Sequence, residues 1–188
     1  MSDHQIPSSW NILADEQEAD CRIFDVRRLR CRHPDGREGD FFVLDTSDWV
    51  NVVALTPDED LILVRQYRFG SGTLSWEVPG GVIDPGEEPL NTAVRELKEE
   101  TGYEGDKARV IASCRPNPAI LRNRCHFVLV EGARPTGETA FDANEELETR
   151  LLPLSESFAW VKDGRIEHAL SVNAIFHLWL DRRGLSPD

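Results

Sequence analysis

The strongest constraint in this 188-residue chain is a stretch in which glycines and acidic side chains recur at fixed intervals. It reads Gly80-Gly81-Val82-Ile83-Asp84-Pro85-Gly86-Glu87, and then Arg95-Glu96-Leu97-Lys98-Glu99-Glu100-Thr101-Gly102-Tyr103. Pro89 suits the first turn of a helix, where its missing N–H costs nothing, and Gly102 suits a left-handed helix end. Between them Leu90, Ala93, Val94 and Leu97 recur at i, i+3, i+4, i+7, the spacing of a buried stripe. At roughly 100° per residue, Glu96, Glu99 and Glu100 share an arc of about 100° that is largely distinct from that stripe. Carboxylates so close repel one another and weaken a helix. A bound divalent cation reverses the sign of that interaction. Mg²⁺ or Mn²⁺ takes several oxygen ligands and keeps some of its water, so carboxylates and phosphate oxygens together form a coordination set. The expected metal ligands are Glu96 and Glu100 with the Gly80 carbonyl, completed or oriented by Glu99 and Glu87. Arg95 is placed to pair with Glu99 or Glu87 and orient a carboxylate. Gly80 and Gly81 read as a tight turn that brings a backbone carbonyl close to the ion, where a Cβ would obstruct it.

The net charge of −13 argues against a general nucleic-acid or membrane-surface binder, because phosphate backbones would be repelled. The same acidity suits a protein that gathers a divalent cation and meets an anionic substrate through it. Cys21, Cys31, Cys114 and Cys125 form no CxxC pair, and the histidines show no HExxH pattern, so a zinc enzyme is not expected. No apolar run approaches bilayer-spanning length and the polar start is no signal peptide, so the expected compartment is the cytoplasm.

Along the chain, residues 1–20 read as a polar, mobile lead-in apart from Trp10, Ile12 and Leu13. Cys21–Cys31 and Glu38–Leu44, separated by Pro34-Asp35-Gly36, predict a hairpin. Val50–Leu55, Leu61–Gln66, Thr73–Val78, Lys107–Cys114, Cys125–Glu131 and Glu148–Pro153 read as strands. Arg115–Arg124 and Glu131–Asn144 read as loops, and Ser155–Lys162 and Ile166–Arg183 as helices. Strands and helices mixed without a regular βαβ repeat point to an α/β fold with a mixed sheet.

From Gly81 to Tyr103 the chain resembles the Nudix box position by position, with Tyr103 where an aliphatic residue is usual. The resemblance implies an α/β/α sandwich with a mixed β-sheet, preceded here by an N-terminal β-hairpin extension. It also implies a divalent-metal hydrolase of nucleoside diphosphates linked to another group. Val64-Arg65-Gln66-Tyr67-Arg68, Trp76-Glu77-Val78-Pro79-Gly80-Gly81 and Pro118 are similar to the ADP-ribose pyrophosphatase and nucleotide-sugar branch. That similarity implies residues 1–45 as an extension used for homodimerisation and 46–188 as the hydrolase domain. The expected substrate is ADP-ribose or a related nucleotide sugar.

Arg68 is the preferred phosphate contact, since a guanidinium fork matches phosphate oxygens. Arg65, Gly81, Pro118 and Arg124, with Arg122, are further substrate-binding candidates. The loop Ala119–Arg124 departs from the branch's acidic pattern. Trp49 or Trp10 is placed to stack on the base, and Glu77 to hydrogen-bond the base or ribose. The general base is expected from Asp142-Ala143-Asn144-Glu145-Glu146, with Glu145 first and Glu146 and Asp142 in reserve. Glu99 and Arg95 complete the catalytic set. Two alternatives stand beside this reading: a house-cleaning hydrolase of modified nucleoside triphosphates, and a catalytically silent nucleotide sensor.

Overall fold

The computed structural model describes residues 6–137, 139–140 and 146–185. Their contacts cluster into two units, one holding the described residues up to Ser47 with Arg115–Asn123, the other Asp48–Cys114 and the described residues from Arg124 onward.

The first unit is built on a three-stranded antiparallel sheet, β1 (Asn11–Asp20), β2 (Asp25–Arg32) and β3 (Glu38–Asp45), in the order β1-β2-β3. The predicted hairpin is thus present and carries one strand more. Asn11–Asp20 is not a loose lead-in: it pairs with β2 along its length, with cross-strand ion pairs Arg27–Asp15 and Arg28–Glu16. Nearly every β1 residue is exposed, so the strand lacks the alternation that a half-buried strand would show. The segment Arg115–Asn123, read as a plain loop, is tied to the end of β3: the Leu44 N–H donates to the Ile120 carbonyl, and the Arg122 N–H to the Leu44 carbonyl.

The second unit holds β4 (Trp49–Ala54), β5 (Asp60–Arg68), β6 (Thr73–Glu77), β7 (Gly80–Val82), α1 (Pro89–Thr101), β8 (Tyr103–Glu104), β9 (Lys107–Cys114), β10 (Cys125–Glu131), β11 (Arg134–Pro135), β12 (Glu148–Pro153), α2 (Leu154–Lys162) and α3 (Ala169–Asp181). Its main sheet runs β7-β4-β10-β9 and is mixed: β10 is parallel to β4 and antiparallel to β9. A second sheet runs β12-β5-β6, all antiparallel.

Both faces of the main sheet are covered, which is why β4 and β10 read as continuous apolar runs. Val50, Val52, Ala54, Val128 and Val130 pack on one face with Ala93 and Leu97 of α1. Val53, Leu55, Phe127 and Leu129 pack on the other with Leu170, Ala174, Ile175 and Leu178 of α3 and Trp160 of α2. The result is an α/β/α sandwich. Helix α3 starts at Ala169, three residues later than the sequence suggests, because His168 is extended and Ile166 is a core residue before the helix. No helix among the described residues is long and apolar enough to cross a membrane.

Candidate active site

Helix α1 and strand β7 build the site. Pro89 opens the helix, and Gly102, at φ +69°, closes it by donating its N–H to the Lys98 carbonyl. The buried stripe settles on Thr92, Ala93 and Leu97, leaving Glu96 and Glu99 half-buried on the flank, while Glu100 is only 3% exposed. A carboxylate so deeply placed needs a donor, and the Gly80 N–H supplies one at 3.0 Å to Glu100 Oε2.

Gly80 and Gly81 do not form the expected turn. They lie in β7, opposite Asn51 and Val50 of β4, and neither has positive φ. Their requirement for glycine is one of close approach. A Cβ on Gly80 would stand 2.2 Å from the Val50 carbonyl oxygen, and one on Gly81 2.2 Å from Glu96 Oε1. The missing side chain of Gly81 is therefore the space that the Glu96 carboxylate fills.

Arg95 gathers the remaining acids. Its Nε and Nη2 donate to Glu87 at 3.3 and 3.1 Å, and its Nη1 donates to Glu96 and Glu99, each at 2.9 Å. Glu87 first, then Glu96 and Glu99, hold the guanidinium well above its ordinary range, against a lowering by burial. Hydrogen bonds from Arg95 and then Thr92 keep the Glu87 carboxyl below the usual carboxylate value. Glu87, Glu96, Glu99 and Glu100 thus supply only oxygen donors, the chemistry that a hard divalent cation selects. Among the described residues no three acidic, His or Cys side chains stand as a finished metal cage. Arg95 spreads three of the carboxylates along its own donors instead. That arrangement fits a cation that completes its shell with water and phosphate.

The other predicted residues fall in several places. Arg68 and Glu77 are each other's partner: Arg68 Nε and Nη2 donate to Glu77 Oε1 and Oε2 at 2.9 and 2.7 Å, a two-pronged pair around a carboxylate that is 1% exposed. Burial pushes the Glu77 carboxyl up, but Arg68 and His168 outweigh it and the net shift is downward. Arg65 pairs with Glu148 at 3.5 Å and lies over the Trp76 ring. Trp49 packs against the core. Arg124 donates from Nη2 to Ser113 Oγ at 2.8 Å, while its N–H reaches Asp48 at 2.7 Å.

Pro118, Arg122 and Trp10 belong to the first unit. There Pro118 is exposed, Arg122 is engaged by Asp15 and Asp45, and Trp10 packs on Phe41 and His33 beneath Arg37. Glu145 and Asp142 lie outside the described residues, and Glu146 is exposed.

Sequence reasoning missed His168, which meets Glu77 just before α3, and Ser171, which meets His168 and the Val78 N–H. His168 Nδ1 is 3.1 Å from Glu77 Oε2 and 3.0 Å from Ser171 Oγ, and the Val78 N–H donates to that same hydroxyl at 3.2 Å. Nothing in the local pattern around His168 marks it, since Glu77 lies some ninety positions upstream.

The family model that matches this chain is the NUDIX domain, over residues 47–172, a span that includes every element of the carboxylate site. The chain belongs to the Nudix family. Members of this family of hydrolases generally use divalent metals. The ADP-ribose pyrophosphatase of Bacillus subtilis (strain 168) is 28% identical over 169 residues, 89% of this chain and 91% of that one. The methanol dehydrogenase activator of Bacillus methanolicus is 31% identical over 132 residues, 70% of this chain and 71% of that one. Among solved structures, the crystal structure of an ADP compounds hydrolase matches with a TM-score of 0.83 at 27% identity, covering 95% of this Nudix chain and 97% of that one.

Proposed function

We propose that this Nudix protein hydrolyses the pyrophosphate bond of ADP-ribose or a related nucleoside diphosphate sugar, releasing a nucleoside monophosphate and a sugar phosphate. The observation that carries the reading is the set of carboxylates around Arg95, with Glu96 seated in the space left by Gly81. The similarity to an ADP-ribose pyrophosphatase over nearly the whole chain supports the substrate class.

In this mechanism Glu96, Glu100, Glu99, Glu87 and the Gly80 carbonyl hold Mg²⁺ or Mn²⁺. When bound, the metal neutralises the diphosphate and polarises the P–O bond to be broken. Arg95 keeps three of those carboxylates aligned before substrate arrives, so that little reorganisation is left for the reaction. Arg68, aligned by Glu77, meets phosphate or ribose oxygens, and Arg65 and Arg124 add positive charge. Water attacks one phosphorus as a carboxylate of the 142–146 segment, Glu145 first, accepts its proton. The phosphoanhydride oxygen leaves with the other phosphate.

The active species is a cytoplasmic homodimer in this reading, joined through the N-terminal sheet. Its exposed Ile12, Leu13, Phe41 and Phe42 are the kind of apolar surface that a second copy covers. Light scattering of the wild type and of a Phe42→Asp variant tests the dimer: a dimer that dissociates in the variant supports it, a monomeric wild type refutes it. Product release from a nucleotide panel, with and without Mg²⁺, tests the reaction. The proposal predicts metal-dependent formation of AMP and ribose 5-phosphate from ADP-ribose. Cleavage of triphosphates alone, or silence throughout, would overturn it.

A further inference from the structure

The Glu77 carboxylate is almost fully buried and meets Arg68, His168 and the Ser75 side chain. Arg68 approaches it from the end of β5 through two hydrogen bonds, and its side chain is still 45% exposed. His168 approaches from the residue preceding α3. Ser171, fully buried in the first turn of α3, binds the imidazole and receives the N–H of Val78, the residue after Glu77. Two residues further on is Gly80, whose N–H holds Glu100. The start of α3 is therefore fastened to the strand end that leads into the carboxylate site.

The chemistry of these contacts fixes the imidazole's hydrogen. An ionised carboxylate only accepts, and Glu77 is kept ionised by its neighbours. The nitrogen facing it must therefore carry the proton, which makes His168 the Nδ1–H tautomer. Burial also pushes His168 below its ordinary value, so that one hydrogen is the only one it holds near neutral pH. Glu77 Oε2 is thus shared by Arg68, which is part exposed, and His168, which leads into α3, with Ser75 as a further partner of the carboxylate. Arg68 already grips both carboxylate oxygens, so the two side chains can swing only as a unit, and a further contact that ties the carboxylate to α3 holds that unit in one orientation.

We infer that His168 is a positioning residue for substrate binding: held by Ser171 with its Nδ1 against Glu77 Oε2, it fixes the carboxylate that orients Arg68. The inference deepens the proposed function and rests on Arg68 meeting the substrate. His168 makes no side-chain cap on α3, so removing it deletes no cap.

Steady-state kinetics with ADP-ribose, combined with nitrogen NMR, tests the assignment. His168→Ala raises KM about tenfold, the scale of one hydrogen bond to a charged group, and changes kcat by less than about threefold. His168→Asn, whose amide nitrogen can take the place of Nδ1, restores most of the loss. His168→Gln, which mimics Nε2, does not. In an Arg68→Ala background His168→Ala adds nothing further, because the orientation it maintains no longer has an object. An unchanged KM in His168→Ala overturns the inference, as do rescue by Gln rather than Asn and losses that simply add in the double variant. The NMR arm is independent of substrate: the wild type shows a protonated Nδ1, and the Arg68 Nε–H signal shifts in His168→Ala. A wild type that ignores ADP-ribose while showing that shift refutes the proposed substrate and not the coupling. A protonated Nε2, or an Arg68 signal indifferent to residue 168, refutes the coupling itself.

Discussion

Adjacent glycines in β7 should fail in opposite ways when given a methyl group. In Gly80→Ala the new Cβ lies 2.2 Å from the Val50 carbonyl oxygen, with the Asn51 Cα at 3.1 Å. Both neighbours are backbone of the central strand β4, and neither can rotate aside. Relief requires β7 to move away from β4, which breaks the pairing at Asn51 and the Gly80–Glu100 contact. Overpacking of this kind costs about 1–3 kcal/mol, and the rigid neighbours place Gly80→Ala near the upper end. For a chain of this length that lowers Tm by roughly 6–12 °C.

In Gly81→Ala the obstructing atoms are Glu96 Oε1 at 2.2 Å and its Cδ at 2.3 Å, the far end of a flexible side chain. The carboxylate swings out with a stability loss below about 1 kcal/mol, since overpacking that a rotamer change relieves costs little. In doing so it leaves Arg95 and its place among the proposed metal ligands. Loss of one group that stabilises developing charge lowers turnover by about 10²–10³. Calorimetric melts and kcat measured on both purified variants separate the outcomes: Gly80→Ala is thermally weakened, and Gly81→Ala is nearly as stable as wild type but about 10²–10³-fold slower. A Gly81→Ala protein with wild-type turnover would refute the seating of Glu96, and a Gly80→Ala protein with an unchanged Tm would refute the contact with β4.

Other expectations follow from the same geometry. Glu100→Gln keeps an oxygen to accept the Gly80 N–H, so its Tm stays within about 3 °C of wild type while kcat falls about 10²–10³-fold; activity close to wild type would remove its metal role. The folded-state values of Glu77 and His168 both lie below their ordinary 4.5 and 6.5, so the unfolded chain takes up protons first as pH falls. Stability is then lost with acid, the His168 contribution below 6.5 and the Glu77 contribution below 4.5. Melts across this range should show a shallower acid slope for His168→Leu than for wild type, and an equal slope would contradict the burial of His168. Burial pushes the fully buried Cys125 thiol up to about 12, so a mild alkylating reagent at neutral pH should label exposed Cys21 and spare Cys125 until the protein is unfolded. Mass spectrometry of the tryptic peptides reads the result.

The parts of this fold that were legible in sequence are those where local pattern and tertiary role agree. Lys107–Cys114, Cys125–Glu131 and Glu148–Pro153 are strands with the predicted bounds; Cys125–Glu131 is a central strand whose apolar run is buried, and the other two are edge strands that each bury a single residue, Ile111 and Leu152. Helix α1 carries its proline, stripe and glycine stop in order. Strand β1 was illegible for a physical reason: it is held by pairing and by Arg–Asp and Arg–Glu contacts with β2, and buries almost nothing. Gly80 and Gly81 were recognised as necessary for the wrong reason, since a turn and a close backbone approach both require glycine. The Glu77–His168–Ser171 cluster was invisible because only folding brings α3 against β6.

That the acids around Arg95 hold a divalent cation against a diphosphate is open to measurement. Mn²⁺ binding followed by electron paramagnetic resonance, with and without a non-hydrolysable ADP-ribose analogue, addresses it most directly. Uptake should tighten with the analogue and disappear in a Glu96→Gln/Glu100→Gln double variant. A wild-type protein that takes up no Mn²⁺ even with the analogue present, or a double variant that binds it equally well, would show that these acids serve no metal.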